Sequence, residues 1–224
     1  MFKTETHMHV AEVSKCAQIR AAEIVRLYND RGYRTLFVTD HYTQRFLDSL
    51  GDIPHEDKVT IFLSTYYKAK EEARRHGMNV ILGAEISLSG VRNDYLAYGV
   101  TREFFNKYPD LCKMKIDEFS RVAKENGVFL VQAHPYRDDF CYPTPEYVEG
   151  LEVYNSHPRH NDKNELAEAL AVEHGLYMLS GSDAHREEDV GLSGVLSEVE
   201  IETTEQFLSL LKSGRLVLIK GERA

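Results

Sequence analysis

The chain has 224 residues, 42% of them hydrophobic and 28% charged, and carries a formal net charge of −9. That length suits a single domain over residues 1–224 with a substantial core, and the acidic balance argues against a nucleic-acid backbone or an anionic membrane as the main partner. No apolar run is long enough to span a bilayer, no signal-peptide pattern opens the chain, and the three scattered cysteines (Cys16, Cys112, Cys141) suggest neither a disulfide framework nor a thiolate zinc site, so a reducing, cytoplasmic setting is expected.

In chain order, residues 2–9 read as a first strand ending in His7-Met8-His9. Ala17 to Asp30 has the apolar spacing of a helix and is stopped by Gly32. Thr35 to Thr39 is a continuous apolar run of the buried-strand kind, ended by Asp40-His41. A helix over 57–76, closed by Gly77, precedes a third strand from Asn79 through Gly83 to Glu85. After the turn at 89–93 a fourth strand opens on Asp94. A helix over 115–125 leads into a strand over 128–133, ended by His134-Pro135. Leu151 to Tyr154 is the sixth strand, ended by Asn155. A helix over 161–173 and a strand over 176–180 follow, the latter ending in Gly181-Ser182-Asp183-Ala184-His185. A helix over 203–213 and a short strand over 216–219 close the chain.

Strands alternating with helices predict an α/β protein with a parallel sheet. A run of seven such units favours a barrel over an open sheet, in which no GxGxxG or P-loop marks a ligand crevice. In barrels of this type, active sites gather at the C-terminal ends of the strands. His7 and His9, at i and i+2 of one strand, share a face and can grip one ion. Asp40, His41, Glu85, His134, Asp183 and His185 also stand at or just beyond strand ends. Imidazole and carboxylate without thiolate suit Zn, Mn or Fe. The candidates outnumber the ligands of a single ion, so two or three divalent ions are expected. Such clusters activate water as hydroxide and clamp the oxygens of a phosphoester.

His7-x-His9, Thr39-Asp40-His41, Gly83-x-Glu85, Ala133-His134-Pro135 and Gly181-Ser182-Asp183-x-His185, in this order, resemble the PHP (polymerase and histidinol phosphatase) family over residues 4 to about 195. The resemblance implies a distorted (β/α)7 TIM-like barrel with a trinuclear centre that hydrolyses phosphoesters. It implies a first ion on His7, His9, bridging Glu85 and Asp183. A second would share Glu85 and take His134, with Asp94 where the family usually has a histidine. A third would take His41 and His185. Its remaining ligand falls in Ala11-Glu12-Val13-Ser14-Lys15-Cys16, where many members have Asp. Glu12 is the expected ligand there and Cys16 the alternative. Glu5 stands where the family's first motif usually begins with Asp.

Two candidate catalytic residues remain. Asp40 is expected to act by orienting a ligand, and His160, with His157 as its rival, by protonating a leaving group. Arg137 and Arg159, both just after strand ends, are the expected substrate-binding residues, because guanidinium binds phosphate in a fork. The reading is thus a metal-dependent phosphoesterase acting on a small phosphorylated metabolite. The alternatives are an amidohydrolase-like enzyme cleaving a C–N bond and a non-catalytic metal-binding module.

Overall fold

The computed structural model describes residues 1–221. Its elements in order are β1 (Phe2–Glu5), α1 (Ala21–Asp30), β2 (Tyr33–Val38), β3 (His41–Tyr42), α2 (Gln44–Ser49), α3 (His55–Arg75), β4 (Asn79–Ser87), β5 (Asp94–Tyr98) and α4 (Arg102–Lys107). There follow α5 (Ile116–Glu125), β6 (Phe129–Gln132), β7 (Gly150–Asn155), α6 (Asn164–His174), β8 (Tyr177–Gly181), β9 (Ser193–Ser197), α7 (Thr204–Lys212) and β10 (Val217–Lys220). The short elements β3, α2, α4 and β9 carry no clear periodicity and were not expected from the sequence.

Ten strands form one sheet in the order β10-β9-β1-β2-β4-β5-β6-β7-β8, with β3 paired to β4. The expected all-parallel sheet is corrected at two places. β5 runs antiparallel to both β4 and β6, and β9 runs antiparallel to both β1 and β10. The segment 88–93 between β4 and β5 is too short for the crossover that a parallel pair needs, so the chain turns straight back as a hairpin. The first strand also ends earlier than expected, at Glu5. Residues beyond it instead meet the end of β8: Met8 bridges Ala184, the His9 amide donates to Ala184 O at 3.0 Å, and the Asp183 amide donates to His7 O at 2.8 Å. These contacts bring β8, at one edge of the sheet, round to the end of β1, and the result is a nearly closed, distorted TIM-like barrel.

The strands' two-residue alternation decides what lies inside it. Phe37, Leu96, Tyr98, Phe129, Val131, Leu179 and Val195, from five strands, pack with Phe207, Leu210 and Leu211 of α7, which plugs one end. Helix α1 packs over β2 as a second apolar layer, and a third core lies under α2 to α6. At the other end the inward positions turn polar: Glu5-x-His7, Ile81-x-Gly83-x-Glu85 and Leu179-x-Gly181-x-Asp183 each stay on one parity. Because β5 is reversed, its inward run Tyr98–Leu96–Asp94 reaches the same mouth at its beginning rather than its end.

Gly181 shows how tightly this mouth is built. A Cβ there would lie 2.5 Å from Glu152 Oε1 and 2.5 Å from His7 Cβ. Neither neighbour can retreat, since both are buried. Gly181→Ala is therefore expected to cost about 1–3 kcal/mol through overpacking, lowering the melting temperature by roughly 2–4 °C per kcal/mol for a chain of this size. Calorimetry that finds an unchanged transition would refute this packing.

Candidate metal centre

Three histidines and two carboxylates converge at the barrel mouth. His7 Nε2 stands 3.1 Å from His9 Nε2 and 3.4 Å from Glu85 Oε1, and His9 Nε2 is 3.1 Å from Asp183 Oδ1. His134 Nε2 lies 3.1 Å from Glu85 Oε1. All five side chains are buried. His41 joins them at 2.6 Å from Glu85 Oε2, and its ring stacks 4.1 Å from that of His9. His185 lies 4.5 Å from His9, ring to ring.

This arrangement suits cations. His7 Nδ1 is 2.8 Å from Glu152 Oε1, so it carries the proton and its Nε2 is a lone pair. That lone pair faces another ring nitrogen and two carboxylate oxygens. Glu85 Oε2 is buried and accepts no hydrogen bond, although His41 Nδ1 is close by. Buried acceptors left facing one another are costly unless a positive charge joins them. Triads of ligand atoms within 4.8 Å of one another are formed by His7, His9 and Glu85, by His7, His134 and Asp183, by His9, His41 and His185, and by Glu85, Asp94 and His134. The donor set is imidazole and carboxylate, which fits divalent ions.

The backbone is bent to aim two of these groups. His134 has φ 28° and Asp183 φ 51°, in the left-handed region that non-glycine residues rarely enter. His134 would otherwise follow Gln132 out of the barrel. Strain of this kind persists where surrounding structure enforces it, and it collects at functional sites.

A further set of buried groups holds the cluster. Glu152 was not expected from the sequence, yet its Oε1 fixes His7 and its Oε2 accepts from the His134 amide at 3.1 Å and from Asn155 Nδ2 at 2.9 Å. The signal was present as a lone carboxylate in the apolar run Leu151-Glu152-Val153. Glu5 accepts from the amides of Thr6, His7 and Ser182 and from the Tyr28 hydroxyl. Burial pushes its carboxyl up to about 7 against the opposing pull of these bonds.

Asp40 accepts from the Val10 amide at 2.8 Å, Ser14 Oγ at 2.7 Å and Thr65 Oγ1 at 2.8 Å. Burial pushes its carboxyl up to about 6 despite those bonds. It thus acts through Ser14, whose hydroxyl lies 3.1 Å from the His41 amide and 3.4 Å from His9 Nδ1. Asp40 is placed as a positioning residue, behind Ser14 rather than against the cluster itself.

Glu12 is also corrected. It is exposed, and its Oε2 accepts from the Ala21 amide at 3.1 Å, capping α1. Cys16 lines the same cleft as His41 and His185. Burial alone would raise its thiol, but the two imidazoles bring it down to about 6. Asp94 does reach Glu85 and His134, yet it also takes a 3.1 Å contact from Arg137 Nη2 and a 2.5 Å hydrogen bond from Ser87. Arg137 Nη1 stands 3.3 Å from His134 Nε2, so this guanidinium and an ion would compete for one corner.

A cleft of about 830 Å³ opens over the cluster. Both arginines expected to bind substrate line it, but both are tied down. Arg137 pairs with Asp94, and Arg159 forks onto Asp189 at 2.8 and 2.5 Å. Lys15 and Arg45 also line the cleft, and among the described residues no ion pair engages them. Arg45 lies on α2, which explains why it was missed. His160 lines the cleft with Nδ1 2.8 Å from Asp138 Oδ2, and it stacks 4.3 Å from His157. His157 is buried, and burial lowers its imidazole to about 4. Among the two, His160 has the freer ring.

Residues 161–216 match the PHP_C family model, described as PHP-associated. No curated protein sequence matches the chain. Among solved structures, a two-domain protein from Bacteroides vulgatus containing a predicted PHP-like metal-dependent phosphoesterase superposes with a TM-score of 0.69 at 18% identity, covering 98% of this chain and 65% of that one. The lesion-specific endonuclease PfuEndoQ of Pyrococcus furiosus gives 0.67 at 16% identity, covering 97% of this chain and 57% of the other. An amidohydrolase from Chromobacterium violaceum, with bound sulfate and no metal, gives 0.55 at 18% identity over 96% and 97% of the two chains. The chain thus spans less than two thirds of the first and second of these. It shares its fold with these three proteins. The match to the PHP-associated model is confined to residues 161–216, and the likeness to the PHP-like neighbours is one of fold.

Proposed function

We propose that the chain is a metal-dependent hydrolase of phosphoesters, acting on a small phosphomonoester or a related phosphate. The observation that carries this reading is the convergence of His7, His9, Glu85, His134 and Asp183 with their lone pairs facing one another in a buried barrel mouth. Two or three divalent ions, Zn, Mn or Fe, are the expected cofactors, held by these residues and by His41, His185 and Asp94. When bound, such ions activate water and neutralise charge developing on the phosphoryl oxygens.

The chain's own residues do the rest. Glu152 keeps His7 in the tautomer that presents Nε2. Lys15 and Arg45 give an otherwise acidic protein a local cationic rim, which would draw an anionic ester into the cleft. His160, steadied by Asp138, is placed to give a proton to a leaving oxygen. Burial of the cluster excludes bulk water and strengthens each electrostatic contact.

Chelation of the purified protein should abolish phosphate release from p-nitrophenyl phosphate or from a panel of sugar, amino-alcohol and nucleotide phosphates, and adding back one divalent ion should restore it. Turnover that survives complete chelation would refute the reading. The amidohydrolase neighbour recommends cyclic amides as a parallel panel, and cleavage of those alone would favour a C–N hydrolase.

A further inference from the structure

Resting on the metal-centre reading above, which leaves two or three ions open, we infer that the centre holds two and that the Arg137 guanidinium stands in the place of a third. The place in question is the corner formed by Glu85, Asp94 and His134, whose ligand atoms lie within 4.8 Å of one another. Two of those three residues are already engaged by one cation. Arg137 Nη2 donates to Asp94 Oδ2 at 3.1 Å, and Nη1 stands 3.3 Å from His134 Nε2. The other oxygen of Asp94, Oδ1, accepts from Ser87 Oγ at 2.5 Å, so both oxygens have a donor. A divalent ion on the same atoms would have to displace the guanidinium or sit against its like charge.

The chain itself opposes that displacement. Asp94 is buried and Arg137 half-buried, so parting them strands a charge where water is scarce. The guanidinium does not give up its proton, so its charge there is permanent. Its backbone is held as well. Arg137 follows His134-Pro135 directly, and its amide donates to His134 O at 3.0 Å. The next amide, of Asp138, donates across to Asn161 O at 3.0 Å, in the loop between β7 and α6. His134 and Arg137 thus come from one tight turn and face Asp94 together. The other ligands form two groups that do without Asp94 and His134: His7, His9 and Glu85 in one, and His9, His41 and His185 in the other. Arg137 lines the cleft, so the corner keeps a positive charge towards an incoming phosphate. A guanidinium neutralises charge on a phosphoryl oxygen but does not ionise water.

Counting ions tests this without reference to activity. Metal-free protein is loaded with excess zinc or, separately, manganese, passed over a chelating resin to strip loosely held ions, and analysed for metal and protein on the same sample. The native chain should retain two ions. Arg137→Met, which keeps much of the side chain's length and removes its charge, should retain three, because Asp94 and His134 are then open to one. Asp94→Asn should still retain two. Circular dichroism confirms that each variant is folded. Three ions in the native chain, a folded Arg137→Met chain that retains only two, or a count that falls to one in Asp94→Asn would each overturn the inference and leave the metal-centre reading standing. Should Arg137→Met not fold, the native and Asp94→Asn counts decide. A native chain that retains one ion or none would overturn the metal-centre reading and this inference with it.

Discussion

His9→Ala is expected to lose bound metal and phosphoesterase activity together. Its ring sits in the middle of the converging groups. His9 Nε2 is 3.1 Å from both His7 Nε2 and Asp183 Oδ1, 3.5 Å from Glu85 Oε2, and its ring lies against those of His41 and His185. Removing it takes a ligand from between two candidate ion positions and leaves a void beside buried carboxylates. The metal contribution at stake is several kcal/mol of transition-state stabilisation, or about a thousandfold in rate. Metal analysis and phosphate release on the same preparation check this, with circular dichroism to confirm that the barrel is intact. A folded variant with full metal content and full activity would end the proposed mechanism.

Glu152→Gln should produce the next largest loss, although Glu152 need not touch metal or substrate. Its carboxylate accepts from His7 Nδ1, the His134 amide and Asn155 Nδ2, so it sets the tautomer of one ligand and the placement of another. The amide has the same shape but no charge, and its NH2 end can present a donor where His7 or the His134 backbone offers one. Metal affinity is expected to fall about 10- to 100-fold, the usual cost of losing such a supporting partner. Titration with zinc or manganese against a competing chelator reads this directly. Affinity equal to the native chain would show that Glu152 is only a satisfied buried acid. Glu152→Ala is the less informative change, since it leaves buried donors unpaired and threatens the fold itself.

Much of this centre could be read along the chain because strands impose a period of two. His7 and His9, or Asp183 and His185, need only occupy alternate places at the end of a strand to face one another's partners. Glycine stops at Gly32, Gly77, Gly127 and Gly175 bounded the helices, because each sits at positive φ where the helix must end. Strand direction was less visible. Periodicity tells which face a residue takes but not which way the strand runs, so the reversal of β5 is invisible in it, and β9 shows no periodicity at all. The reversal of β5 is nonetheless what brings Asp94, at the start of its strand, to the same mouth as Glu85, near the end of its own.

The sequence by itself determined the barrel class, the alternation that turns Glu5, His7, Glu85 and Asp183 inward, and the order of the motifs. Those depend on local pattern, in which each residue's face follows from its neighbours. Only the tertiary structure put Glu12 against the first amide of α1, tied Arg137 and Arg159 to Asp94 and Asp189, and revealed Glu152 behind His7. Each of those depends on contacts between residues far apart in the chain or on the path of an irregular loop, and no periodicity encodes either. A short carboxylate in a turn can cap a helix or bind an ion with equal ease. What settles its role is which backbone amide the folded loop places in reach.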